Sequence, residues 1–123
     1  MGIDELTPCA PAEVVEVTQN SMKRYTLHPS ELGLKSCTIE DLKGGDATVN
    51  AQILRDVFGG QQGPVADALC LNAGVALAAA GVASTPHEGV AMAQEVQRAG
   101  KPGVVLEKWI KRSQELLQQE RSA

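Results

Sequence analysis

The chain has 123 residues, a length that suits one domain, with 43% hydrophobic residues and a formal net charge of −4. That balance excludes a phosphate-backbone binder built on a basic patch: the one basic cluster, Lys108, Lys111 and Arg112, is interleaved with Glu107 and Glu115 as on a solvated helix face. Tyr25, Phe58 and Trp109 are its aromatic residues, so the core is expected to be Val, Leu, Ile and Ala, side chains small enough to let helices approach closely.

Residues 1 to about 36 read as loops and short strands. The β-branched run Glu13–Val17 predicts one strand, and Lys23–Leu27 a second, broken by His28-Pro29 because proline cannot donate to a ladder. From about residue 38 onward the signals are helical. Thr38 can cap a short helix over Ile39–Leu42, punctuated by Gly44-Gly45. Asp46 is a good N-cap for a helix Ala47–Phe58 that Gly59-Gly60 ends, with Val49, Ile53, Leu54 and Val57 at helical spacing. Pro64 opens a further helix that stops near Gly81; it is apolar almost all round and is expected to be buried. Thr85-Pro86-His87-Glu88 has the pattern of a capping box for a helix to about Ala99, ended by Gly100, and a last helix is expected over Val104–Gln119. Two short strands do not make a stable sheet alone, and so apolar a helix needs partners on several sides. The pattern therefore implies short N-terminal strands followed by four to five packed helices that complete a larger fold.

Cys9, Cys37 and Cys70 are widely spaced with no CxxC, which argues against a zinc site and fits a reducing compartment; Cys70, in an apolar run, reads as a small core residue. No signal-peptide or membrane-spanning pattern is visible, and Leu6 stands where a myristoylation motif starting at Met1-Gly2 wants Ser or Thr.

Among residues that could carry chemistry, Asp4-Glu5 is the first candidate, since two adjacent carboxylates on a turn can face one cation and hard oxygen ligands suit Mg²⁺. Read alone, the pair is more simply an acidic, solvated terminus. Lys43-Gly44-Gly45-Asp46 could expose amides to a phosphate at a helix start, but the Walker spacing is absent and Asp46 would repel an anion, so a capped turn between helices is the better reading. His28 and His87 have no partner at motif spacing, and Asn50 and Asn72 are expected to make structural hydrogen bonds.

Taken in series, these segments resemble the anthranilate phosphoribosyltransferases of glycosyltransferase family 3. Gly2–Pro8 resembles the family's GLDEL turn; Leu32–Leu34 with Cys37–Asp46 resembles its stretch LG…C-x-x-E-D-L-x-G-G-D; Asn50–Arg55 and Ala68–Ala80, with Leu71-Asn72-Ala73, resemble the helices that follow. Glu95–Lys101 and Leu106–Ile110 look like the tail of plant-type members. The resemblance implies that residues 1–123 are a partial α/β domain, the C-terminal portion of a phosphoribosyltransferase α/β domain. It implies transfer of a ribosyl 5-phosphate group from phosphoribosyl pyrophosphate to anthranilate in tryptophan biosynthesis, with Asp4 and Glu5 holding Mg²⁺. No residue is assigned a catalytic role. The family's glycine-rich pyrophosphate loop, lysine-containing loop and anthranilate contacts precede this region, and none of those motifs occurs here. Ala10-Pro11 also replaces the usual Gly-Pro. The chain is therefore expected to be inactive alone and to need an N-terminal half or a homo-oligomer, with neither nucleic acid nor membrane as partner. The implied location is the cytoplasm, or the plastid stroma in a plant or alga. The rival reading is a non-catalytic interaction module that docks on a full-length homologue.

Overall fold

A computed structural model describes residues 3–122; the Met1-Gly2 start, on which the myristoylation reading fell, lies outside the described residues. The order of elements is two strands, β1 (Ala12–Val17) and β2 (Met22–Leu27), then four helices, α1 (Ala47–Phe58), α2 (Pro64–Ala79), α3 (Pro86–Arg98) and α4 (Lys101–Ser122). Single 3₁₀ turns at Pro29–Leu32 and Glu40–Leu42 connect the two halves.

β1 and β2 form an antiparallel hairpin with Ala12 opposite Leu27, Val14 opposite Tyr25 and Val17 opposite Met22. Opposite residues share a face, so Ala12, Val14, Tyr25 and Leu27 point one way. That face enters the core, where Leu27, Leu32, Leu34, Leu71 and Val90 are buried and Leu6, Val14, Tyr25 and Val75 pack on them. Two of these, Leu71 and Val90, are enclosed on all sides, each contributing about 2 kcal/mol through removal from water. After β2, His28-Pro29 does end the strand, and the chain turns directly into the 3₁₀ turn with Pro29 in its first turn.

The helix starts follow the expected chemistry. Thr38 and Asp41 bond reciprocally: the Asp41 carboxylate accepts from the Thr38 N–H (2.8 Å) and hydroxyl (2.7 Å), and the Thr38 hydroxyl accepts from the Asp41 N–H (3.3 Å). Asp46 caps α1 by accepting from the Val49 N–H at 2.9 Å. Thr85 caps α3 by accepting from the Glu88 N–H at 3.1 Å, while the Glu88 carboxylate reaches back to the Ser84 N–H at 2.7 Å, one residue earlier than a standard capping box. α4 starts at Lys101, earlier than the expected Val104, and ends at Ser122, later than Gln119. The Lys101-Pro102-Gly103 sequence reads as a breaker, yet proline is tolerated in a helix's first turn, where its missing N–H has no partner to lose.

α2 and α3 make the main helix pair. A Cβ on Gly74 would lie 2.4 Å from the Val90 nitrogen, and one on Gly89 would lie 2.1 Å from the Gly74 carbonyl oxygen, so backbone meets backbone. α2 departs from expectation in one respect. Ala66, Cys70, Leu71 and Gly74 are buried, but Leu69, Ala73 and Ala76 are exposed, and the helix is not enclosed on every side. Those residues, with Val57, Phe58 and Val96, line an open apolar groove of about 740 Å³. No described element of the chain lies over it, which is why a largely apolar helix shows a face to solvent.

Candidate functional site

The Asp4-Glu5 turn precedes β1 and is held from the far side of the chain. The side-chain amide of Asn72, in the middle of α2, accepts from the Leu6 N–H at 3.1 Å and donates to the Leu6 carbonyl at 2.8 Å. Its second N–H goes to the Ala68 carbonyl at 2.9 Å. One side chain thus satisfies both backbone groups of Leu6, as a neighbouring strand would, and Leu6 also packs on the core. The anchor sits directly after the carboxylates, so the turn's backbone is placed by α2 while Asp4 and Glu5 themselves remain exposed. Ile3 through Thr7, Ala10 through Glu13 and Asn72 surround a hollow of about 660 Å³. Its third carboxylate, Glu13, accepts a hydrogen bond from the Thr26 hydroxyl across the hairpin.

Among the described residues, no group of three or more His, Cys, Asp or Glu could hold a metal ion. A closed all-protein cage is therefore absent there. The donor set of Asp4 and Glu5 still fits Mg²⁺, which keeps several waters and is commonly bound through one or two carboxylates plus phosphate oxygens of a substrate. It does not fit a structural zinc, which wants four N or S ligands.

Lys43–Asp46 behaves as a capped turn. Asn50 closes it by accepting from the Gly45 N–H at 2.8 Å and donating to the Gly45 carbonyl at 2.9 Å. A Cβ on Gly44 would collide with the Asn50 amide, and one on Gly45 would crowd Val49 at 3.0 Å, so the turn favours small residues at both positions. Asn50 and Asn72 thus make the structural hydrogen bonds expected of them, each on a backbone amide–carbonyl pair. His28 and His87 are both exposed, in separate parts of the fold.

Gln97 has a role that its sequence position did not signal. It is buried in α3, donates to the carbonyls of Val57 (2.7 Å) and Gln61 (2.8 Å), and accepts from the Gln62 side chain at 2.9 Å. It fastens the end of α1 to α3, and nothing in a one-dimensional pattern marks a glutamine for that task. Four titrations deviate, one of them the Cys70 thiol, which burial raises. The Thr38 N–H and hydroxyl hold Asp41 below the usual carboxylate range. Partial burial raises Asp67 against the opposing pull of Lys35 and Arg98. Burial first, and then neighbouring Cys9, push the Cys37 thiol up to about 11.

A family described as "Glycosyl transferase family, a/b domain" matches residues 1–102. An anthranilate phosphoribosyltransferase of Chlamydia felis is 44% identical over 115 residues, covering 94% of this chain and 34% of that protein. One from Pelobacter propionicus is 41% identical over 109 residues, covering 89% of this chain and 31% of that protein. The crystal structure of anthranilate phosphoribosyltransferase from Thermus thermophilus superposes with a TM-score of 0.82 at 40% identity, over 89% of this chain and 32% of that one. The chain spans about a third of the length of these relatives. All three are bacterial, so they lend no support to the plant-like reading of the tail, whose last part, beyond residue 102, lies outside the family match. The family match spans both strands and the first three helices, and the chain belongs to the glycosyl transferase family through its a/b domain.

Proposed function

We propose that this chain is the closing part of an anthranilate phosphoribosyltransferase. In that enzyme the amino group of anthranilate attacks the anomeric carbon of phosphoribosyl pyrophosphate, a C–N bond forms and pyrophosphate leaves. The observation that carries the reading is the bracket from Asn72 to Leu6, which places the Asp4-Glu5 turn on the body of the domain although the carboxylates make no bond of their own to it. Asp4 and Glu5 would hold Mg²⁺; when bound, the ion would offset negative charge on the departing diphosphate. Asn72 is a positioning residue in this scheme, acting through the backbone of Leu6.

Recognition of pyrophosphate and anthranilate needs groups outside this third of the fold, so the chain by itself is inactive and works with the rest of a full-length enzyme or within a homo-oligomer. Its free thiols suit the cytoplasm; among the described residues, no helix is long and apolar enough to cross a membrane. The open groove on α2 and α3 favours a second reading, a non-catalytic module that docks on a full-length homologue through that apolar face.

Loss of anthranilate fluorescence on adding phosphoribosyl pyrophosphate and Mg²⁺ tests whether the chain is inactive alone. No loss is expected with the chain alone, and a loss that depends on Asp4 and Glu5 would show that the chain builds a phosphate site of its own. Binding of Mn²⁺ as a stand-in ion, read by its electron paramagnetic resonance, tests the turn without turnover. Asp4→Asn combined with Glu5→Gln should abolish any binding seen. Unchanged binding in that variant removes the metal role from the pair.

A further inference from the structure

Cys9 and Cys37 stand 28 residues apart in sequence, yet their sulfurs are 3.2 Å apart. A disulfide bond is about 2.05 Å long, so the pair needs to close by only about one ångström. Cys9 lies in the turn after the carboxylates and Cys37 in the irregular stretch between the two 3₁₀ turns, so a small shift of either breaks no helix or ladder. Both thiols are free and half-buried, open enough for a small reagent, whereas Cys70, on α2 itself, is buried. None of the three belongs to the carboxylate pair or to a metal group among the described residues.

We infer that Cys9 and Cys37 form a modification site, a dithiol that a peroxide-class oxidant converts to a reversible disulfide. The chemistry balances in two steps. A Cys9 thiolate attacks one peroxide oxygen, the O–O bond breaks, and the expelled hydroxide takes up a proton as water, leaving a sulfenic acid. The Cys37 sulfur then attacks the Cys9 sulfur, the S–O bond breaks, and the leaving hydroxide accepts the Cys37 proton as a second water. Two electrons pass from the two sulfurs to the peroxide. Cys37 is the poorer first attacker, because burial and its neighbour raise its thiol to about 11, and burial raises Cys70 as well. The bond would enclose the whole β-hairpin in a covalent loop and tie the turn that follows Asp4-Glu5 to the segment leading into α1. The readout below needs no turnover, so its result is independent of the proposed transferase reaction.

The test is to treat the chain with a slight excess of hydrogen peroxide, alkylate remaining thiols after denaturation, and digest with trypsin. The intact mass is expected to fall by two hydrogen atoms, with alkylation confined to Cys70. A peptide ending at Lys23 should be joined to Ser36–Lys43, and dithiothreitol should separate them. Three alkylated cysteines, or any pair that includes Cys70, would overturn the assignment. So would a Cys9 overoxidised to the sulfinic acid beside an alkylated Cys37. In Cys9→Ser the mass loss should vanish and Cys37 should alkylate; a Cys37–Cys70 pair appearing there would show that proximity in the fold does not direct the reaction.

Discussion

In the helical hairpin of α2 and α3 the two backbones touch at Gly74 and Gly89, and Val90 is wholly enclosed. In the β-hairpin, by contrast, the last paired residues, Val17 and Met22, are 71% and 74% exposed, and beyond the turn only the ladder holds them. The carboxylate turn is continuous in sequence with the β-hairpin, but its backbone is bonded to the helical one, through Asn72. Chain neighbours therefore do not decide what fixes the candidate site. The tightest packing in the molecule reaches across to it with one side chain.

Substitutions can break that contrast in graded steps, each read by urea unfolding followed by far-UV circular dichroism. Gly89→Ala should have the largest effect. Helix propensity alone would stabilise α3 by about 1 kcal/mol, but the new Cβ would meet the Gly74 carbonyl at 2.1 Å. Two helix axes would have to part, and a net loss of about 3 kcal/mol is expected; a neutral result would mean the crossing is looser than described. Asn72→Ala comes next, removing three hydrogen bonds and leaving the part-buried Leu6 amide and carbonyl unpaired. About 2 kcal/mol is expected, together with weaker Mn²⁺ binding at Asp4-Glu5. If stability falls but metal binding is unchanged, Asn72 is structural and does not position the pair.

Gly81→Ala sharpens the comparison because it reverses the terms of Gly89→Ala. Gly81 ends α2 with φ at +72°, and a Cβ there meets nothing within 4 Å. Space is free and only the left-handed backbone is penalised, so a loss of about 1 kcal/mol is expected. At the far end of the scale, Val17→Thr on the exposed hairpin end should change stability by less than about 0.5 kcal/mol. A larger loss would mean that the tip of the β-hairpin is packed against something.

What the sequence disclosed and what it withheld follow the same division between local and distant causes. Asp46, Thr85 and the αL glycine at Gly100 are local signals, read within a turn of where they act, and α1 and α3 appear where those signals put them. The start of α4 departs from expectation because proline two residues past a glycine looks like a stop, although the first helical turn tolerates it. The Asn72–Leu6 bracket spans 66 residues and the buried Gln97 reaches 40 residues to Val57; no period or spacing encodes either. Asp4-Glu5 is visible as a pair of carboxylates, but an acidic turn and a cation turn are the same letters, and only the family resemblance separates them. The open face of α2 agrees with the expectation that the chain completes a larger fold, but an apolar helix declares that it needs cover without saying which chain supplies it.

The Asn72 bracket also orders events in time. Leu6 cannot meet its partner until α2 exists, and the 66 residues between them must first be drawn into a loop whose closure is opposed by chain entropy. Helices nucleate and extend on much faster scales than such a closure. The helical hairpin is thus expected to mature before the turn that bears Asp4 and Glu5. In pulse-labelled refolding the Leu6 amide should gain protection later than the amides of α2, and simultaneous protection would refute that order. A cation offered during refolding would then meet the proposed pair, Asp4 and Glu5, only after the helices have formed.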